Sequence, residues 1–257
     1  MRTWKTAVLS VISLVAAATV QPALAEELPG LTRLCGETTP LKAGTKIALF
    51  GDSITMQGGY IRTIKAALET SPHTKDLEIR LLQHGLNGGR VPTVLEGQCP
   101  WGKLGGTMQE LVEKETPEVV VIFLGVNDVW HGAKGTTIED FEAGLKTMVG
   151  LCRKSNARVV LATLAVIGEK PDGSNAFDEK LDRYAAVTLQ VARETGATPV
   201  NVHKAFMDYL AAHNTEKDEQ GQFAAKGILT YDGVHMSDKG NDLLADLLSG
   251  AIVEALD

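Results

Sequence analysis

Ser53, Asn127, Asp232 and His235 are the residues of this chain whose types and surroundings could do chemistry. A serine hydroxyl is a poor nucleophile until a base removes its proton, and a histidine, with an ordinary pKa near ~6.5, suits that task. A carboxylate on the other ring nitrogen would hold the tautomer and stabilise the imidazolium. Asp232 lies just before His235 across a glycine turn and could supply it, as could a backbone carbonyl. Attack on an ester creates an oxyanion that needs fixed donors. The amides of Ser53 and Gly88 and the side chain of Asn127 are the candidates. Glycine at position 88 would let the backbone approach closely and adopt a positive φ. The chemistry these residues would support is acyl transfer.

Such residues act only if the elements beneath them bring them together. Residues 46–50 are a short apolar run, the pattern of a strand buried on both faces, and Gly51-Asp52-Ser53 follows it directly. Gly58-Gly59 then leads into a helical segment. Ser53 therefore falls at the carboxyl end of a strand, where open α/β sheets bind ligands, and a helix starting there offers free N–H groups. Asp-Ser after a strand is also common turn and N-cap chemistry, so Ser53 alone decides nothing. Further strands are expected at 77–82, 119–124, 158–164 and 198–202. Helical periodicity marks 60–70, 104–115, 138–153, 177–195, 202–213 and 238–256, the last with Ser237 or Asp238 as N-cap. Each strand is followed by a helix, which predicts a single-domain α/β fold with a five-stranded parallel sheet between two helical layers. The flavodoxin-like order 2-1-3-4-5 is expected, although the pattern itself does not dictate order. In that fold Ser53, Gly88, Asn127 and the Asp232–His235 turn converge on one crevice.

Four blocks now stand in order: GDSI at 51–54, a glycine at 88, GVND at 125–128 and DGVH at 232–235. With them the chain resembles the SGNH (GDSL-type) hydrolase family over nearly its whole length after residue 45. The resemblance implies Ser53 as nucleophile, His235 as base, Asp232 as its orienter, and an oxyanion hole of Ser53, Gly88 and Asn127. Ile54 stands where the family name has leucine, an apolar exchange. The second block reads Asn87-Gly88-Gly89, so Gly89 is an alternative donor. The family also includes thioesterases, lysophospholipases and arylesterases. No cofactor is implied.

Residues 1–25 have the form of an export signal: a basic start at Arg2 and Lys5, an apolar core, and Ala23-Leu24-Ala25 as cleavage site. The expectation is a cleaved leader, an extension at 26–45, a hydrolase domain at 46–257, and a periplasmic or secreted protein without a membrane anchor. Losing Arg2 and Lys5 makes a formal net charge of −7 more negative still, which argues against nucleic acid and anionic membranes as partners. Of Cys35, Cys99 and Cys152, the third lies in an amphipathic stretch, so a Cys35–Cys99 bridge is the expected pair in an oxidising compartment. No spacing suggests a zinc site.

The substrate expected first is a small acyl ester, an O-acetyl group on carbohydrate, because of the leader and two loop tryptophans. Trp101 and Trp130 could stack on a sugar, with burial against a loop as the equal alternative. With His131 they are the candidate substrate-binding residues. His84 and His131 flank the crevice without being candidate bases, and His73, His203 and His213 occupy ordinary surface or helix positions. Asp52 and Asp128 read as turn carboxylates bonding nearby backbone amides. The polar run 214–233 is expected to be a partly mobile loop. Two other classes compete: a metal-dependent phosphoesterase using Asp52, Asn127, Asp128 and His235, and a silent carbohydrate-binding protein. The first leaves Ser53 unexplained, and the second leaves a full set of reactive residues without a use.

Overall fold

The computed structural model describes residues 28–131 and 135–257; the expected leader lies outside them. The strands run β1 (Lys46–Gly51), β2 (Arg80–Gly85), the short pair β3 (Gln98–Cys99) and β4 (Gly102–Lys103), β5 (Val119–Phe123), β6 (Arg158–Ala162) and β7 (Thr198–Val200). Five of them form one sheet in the order β2-β1-β5-β6-β7, every neighbouring pair parallel. That is the expected 2-1-3-4-5 order. β5 is VVVIF and buried at every position, as a central parallel strand covered on both faces must be.

The helices are α1 (Pro29–Cys35), α2 (Ser53–Gln57), α3 (Gly59–Thr70), α4 (Val91–Glu96), α5 (Met108–Glu115), α6 (Val126–Trp130), α7 (Ile138–Lys154), α8 (Asp178–Thr195), α9 (Val202–His213) and α10 (Asp238–Leu256). On one face α10 crosses β5, β6 and β7 and carries α1 and α3 beside it; on the other, α7 and α8 cover β6, with α4 and α5 against α7. Leu244, Leu248 and Ile252 of α10 are buried, and each such side chain stabilises the fold by ~1.5–3 kcal/mol.

Several boundaries differ from expectation for local reasons. The second strand starts at Arg80 rather than Leu77, because Glu78 adopts φ 53° and the Leu77 carbonyl turns to accept from Gly44 N. α5 starts at Met108 rather than Leu104. Thr107 caps it, its hydroxyl accepting from Glu110 N while the Glu110 carboxylate accepts from Thr107 N. β7 stops at Val200 because Asn201 caps α9 through Lys204 N. Ser237 is the cap of α10. α1, α2, α4 and α6 carry no signal strong enough to have been expected.

The expected Cys35–Cys99 bridge is not formed; all three cysteines are free. Cys35 ends α1, and its carbonyl accepts from Ser71 at the far end of α3, by the amino ends of the strands. Cys99 lies by the carboxyl ends, its thiol donating to the Asn87 carbonyl. The sheet separates them. Burial pushes the Cys152 thiol up to about 12, as suits an inert core thiol.

Candidate active site

Ser53 stands at the first position of α2, reached by a sharp exit from β1. The exit is tight enough that a Cβ on Gly51 would sit 2.8 Å from the Phe123 carbonyl oxygen. Asp52 caps α2, its carboxylate accepting from Ile54 N at 2.9 Å. That leaves the Ser53 side chain facing solvent at the strand end.

Across the crevice the turn after residue 230 brings up the histidine. Ser53 Oγ lies 2.8 Å from His235 Nε2, and His235 Nδ1 lies 2.7 Å from Asp232 Oδ2. Asp232 Oδ1 accepts from the amides of His235 and Val234 at 2.7 and 2.9 Å. Partial burial works to raise the Asp232 pKa, but the bonds from the His235 ring and from these amides hold it below the usual carboxylate range. An ionised carboxylate can only accept, so Nδ1 carries the proton and Nε2 is left to accept from the serine hydroxyl. The arrangement is that of a base poised on a nucleophile.

The oxyanion candidates are Gly88, in the turn after β2, and Asn127, in α6 after β5. Gly88 adopts φ 65°, and a Cβ there would come within 2.4 Å of the Trp101 ring, so backbone and neighbour both require glycine. Gly89 spends its N–H on the Leu86 carbonyl at 2.8 Å, whereas Gly88 N–H has no partner among the described residues. Asn127 donates one amide hydrogen to the Gly89 carbonyl at 3.2 Å, which leaves the other to the crevice. Asp128, fully buried, accepts from Val91 N through both oxygens and so locks α6 against α4. Burial lifts the carboxyls of Asp52 to about 7 and of Asp128 to about 6.

Aromatic rings rim this crevice. Trp101 is 60 % exposed and stacks on His131 with centroids 5.8 Å apart; Trp130 is 45 % exposed. Neither tryptophan is buried against its loop. Among the described residues no group of three or more His, Cys, Asp or Glu side chains is arranged to hold a metal ion. The four residues of the phosphoesterase alternative are each engaged elsewhere: Asp52 with Ile54, Asn127 with Gly89, Asp128 with Val91, His235 with Ser53. His84 points away from the crevice to Glu115 at 2.7 Å and stacks on Phe50. His203 is no surface position: it is buried, Nδ1 against the Ala165 carbonyl and Nε2 toward Asp182.

A family model described as GDSL-like lipase/acylhydrolase matches residues 49–243, a span that includes Ser53, Gly88, Asn127, Asp232 and His235. The chain belongs to this family. Among relatives of this GDSL-type ester hydrolase, an acetylxylan esterase of Geobacillus stearothermophilus is 26% identical over 226 residues, 79% of this chain and 91% of that one. An arylesterase of Vibrio mimicus is 28% identical over 128 residues, 49% of this chain and 57% of the relative. The crystal structure of an acetyl xylan esterase, AlAXEase, is 32% identical, with a TM-score of 0.70 over 81% of this chain and the whole of that one. A variant of the Geobacillus acetyl xylan esterase Axe2, at 23% identity and TM-score 0.67, shares the fold.

Two residues of this GDSL-type site were not legible beforehand. Tyr231, 54 % exposed, stacks on His235 with centroids 5.9 Å apart and takes a hydrogen bond from Gln57. An aromatic immediately before DGVH was the available signal. Glu169, just beyond β6, is fully buried and accepts from Ile228 N at 2.9 Å, Leu229 N at 2.8 Å, Thr230 Oγ1 at 2.7 Å and Thr230 N. With Gly168 N donating to the Gly233 carbonyl at 2.7 Å, it straps down the run that carries Asp232 and His235. A lone acid closing the apolar run 164–167 was a weak hint of this. The polar run expected to be a loose loop is tied at both ends, Asn214 donating to the Glu169 and Ala224 carbonyls.

Glu169→Gln tests that strap. An amide offers one acceptor oxygen and turns two hydrogens toward backbone donors, so unsatisfied groups should cost ~1–3 kcal/mol. The expected result is a lower unfolding midpoint together with a fall in kcat of about tenfold at nearly constant KM. Thermal unfolding and steady-state kinetics on one preparation read both. An unchanged kcat in a destabilised protein would show that the strap serves stability only.

Proposed function

We propose that this protein is an exported serine esterase that removes small acyl groups, acetyl in the first place, from carbohydrate. The observation that carries the reading is the unbroken Asp232–His235–Ser53 chain of hydrogen bonds, beside which Gly88 N–H, without a partner among the described residues, and the oriented amide of Asn127 are the oxyanion donors. In the reaction His235 Nε2 takes the Ser53 proton as Oγ attacks the ester carbonyl. The resulting oxyanion is met by the amides of Ser53 and Gly88 and by Asn127. His235 returns the proton to the departing alcohol oxygen, leaving Ser53 acylated. Water, activated by the same histidine, then hydrolyses the acyl-enzyme.

Acetyl carbohydrate is favoured by two things. Acetylxylan esterases are among the relatives matched over most of the chain. The rim is built of exposed Trp101, Trp130 and Tyr231, rings suited to the C–H faces of sugars. Export rests on residues 1–25 alone.

The test is a comparison of acetylated xylo-oligosaccharides with nitrophenyl esters of rising acyl length, in the presence of chelator. The expected profile is full activity in chelator, the highest kcat/KM for acetyl, and a steep fall beyond about butyryl. A maximum at long acyl chains would replace this reading with a lysophospholipase- or thioesterase-like one. Recovery of the pre-protein uncut in the cytoplasm of its producing cell would remove the export step.

A further inference from the structure

We propose that the cleft beyond Asp232 is an alcohol-side subsite for an anionic sugar unit, held by Lys170 and Lys226, so that the preferred ester is carried by an acidic oligosaccharide. This rests on the acetylesterase reading above and specifies its substrate. The cleft, broadly open to solvent, offers about 510 Å³, within the range of ligand pockets, and its walls include Trp130, Ile167, Phe177 and the Asp232–Val234 turn. Its side of the site is set by the reaction. The oxyanion must face Gly88 and Asn127, while the leaving oxygen must lie by His235 Nε2 to receive the proton. An ester bound that way extends its alcohol toward the turn carrying Asp232, and so into this cleft.

The charge of the cleft is what a neutral sugar would not need. Lys226 is exposed and has no hydrogen-bond or ion-pair partner among the described residues. Lys170 is half-buried, and its ammonium is bonded to the neutral Gln222 amide oxygen at 2.9 Å. The acids nearby are engaged in hydrogen bonds of their own, Asp172 with Ser174 N among them, and the charge of Asp232 is turned to the His235 ring. Both oxygens of Asp232 serve His235 and Val234, and those of Asp178 accept from Asn175. Two lysines thus line a sugar-sized cleft in a chain whose formal net charge is −7. A carboxylate on the sugar unit beside the acetylated one would accept from both. Trp130, 45 % exposed, supplies the flat wall against which that ring would lie.

Two measurements test this. The first is kcat/KM on acetylated oligosaccharides with and without a uronic acid substituent, for the parent and for Lys170→Ala/Lys226→Ala. The parent is expected to favour the acidic substrate about tenfold through KM, the double variant hardly at all, with the preference shrinking as salt is raised. A parent without preference, or a variant that keeps it, would overturn the subsite. The second is calorimetric binding of the deacetylated acidic and neutral oligosaccharides to Ser53→Ala, which reads the cleft without turnover. Lysine-dependent preference there, with no acetate hydrolysis by the parent, would keep the subsite and discard the acetylesterase reading. Equal binding, with acetate hydrolysis intact, would discard the subsite alone.

Discussion

Ser53→Ala is expected to lower kcat for acetyl ester hydrolysis by about 10⁴- to 10⁶-fold while leaving the fold unchanged. Among the described residues the side-chain hydroxyl meets only His235 Nε2, at 2.8 Å, and it sits outside the core, so its loss costs little stability. What is lost is the group that becomes acylated. His235→Ala should cost a similar factor, because the hydroxyl then has no base to take its proton. The double variant should be no worse than either single one if nucleophile and base work as one unit; a residual rate over water is then expected from the donors proposed at Gly88 and Asn127 and from substrate binding. Asp232→Asn should lose about 10³- to 10⁴-fold, because an amide can donate to Nδ1 and so favour the tautomer whose Nε2 carries hydrogen. Steady-state rates on a nitrophenyl acetate for the four variants settle the matter. Losses that multiply in the double variant would mean that Ser53 and His235 do not act together.

The second large effect is on stability, and it is set by two carboxyls the reaction does not use. Burial holds Asp52 at about 7 and Asp128 at about 6, each far above the ordinary 3.8. The folded protein therefore keeps protons that the unfolded chain releases between pH ~4 and ~7, so stability from these groups is complete below pH ~4 and is lost as pH rises toward 7. At about 1.4 kcal/mol for each pKa unit the loss amounts to a few kcal/mol, with the two sites coupled rather than additive. Asp232, held low, works the other way: its contribution is present above the ordinary carboxylate range and is lost on acidification. Asp52→Asn preserves an acceptor for Ile54 N and removes the buried charge. It is expected to raise unfolding stability by a few kcal/mol at pH 8 and by little at pH 4.5, which urea unfolding at the two pH values would measure. A gain independent of pH would show that Asp52 does not hold its proton in the folded state.

The fold was largely legible because its signals are local. β5 is five consecutive apolar residues, α10 carries helical periodicity from Asp238 to Leu256, and the blocks at 51–54, 88, 125–128 and 232–235 fall where strand ends must turn. Strand order was expected from the flavodoxin-like fold class rather than dictated by the pattern, and short helices such as α2, α4 and α6 left no period to read. The misreadings share a cause. Cys35 and Cys99 were paired by elimination along the chain, whereas the sheet puts them at opposite ends of its strands. His203 looked ordinary until α9 buried it against the Ala165 carbonyl.

The amino-acid sequence by itself determined which groups could react, the order of the elements carrying them, and the need for glycine where Gly88 turns. Only the tertiary structure decided that Gly89 N–H is donated to Leu86 while Gly88 N–H has no partner among the described residues, that Glu169 straps residues 228–230, that Asp128 ties α6 to α4, and that two lysines line the cleft beyond Asp232. Each of those depends on contacts between segments tens of residues apart. A side chain's own neighbours in sequence carry no record of what the sheet will bring against it.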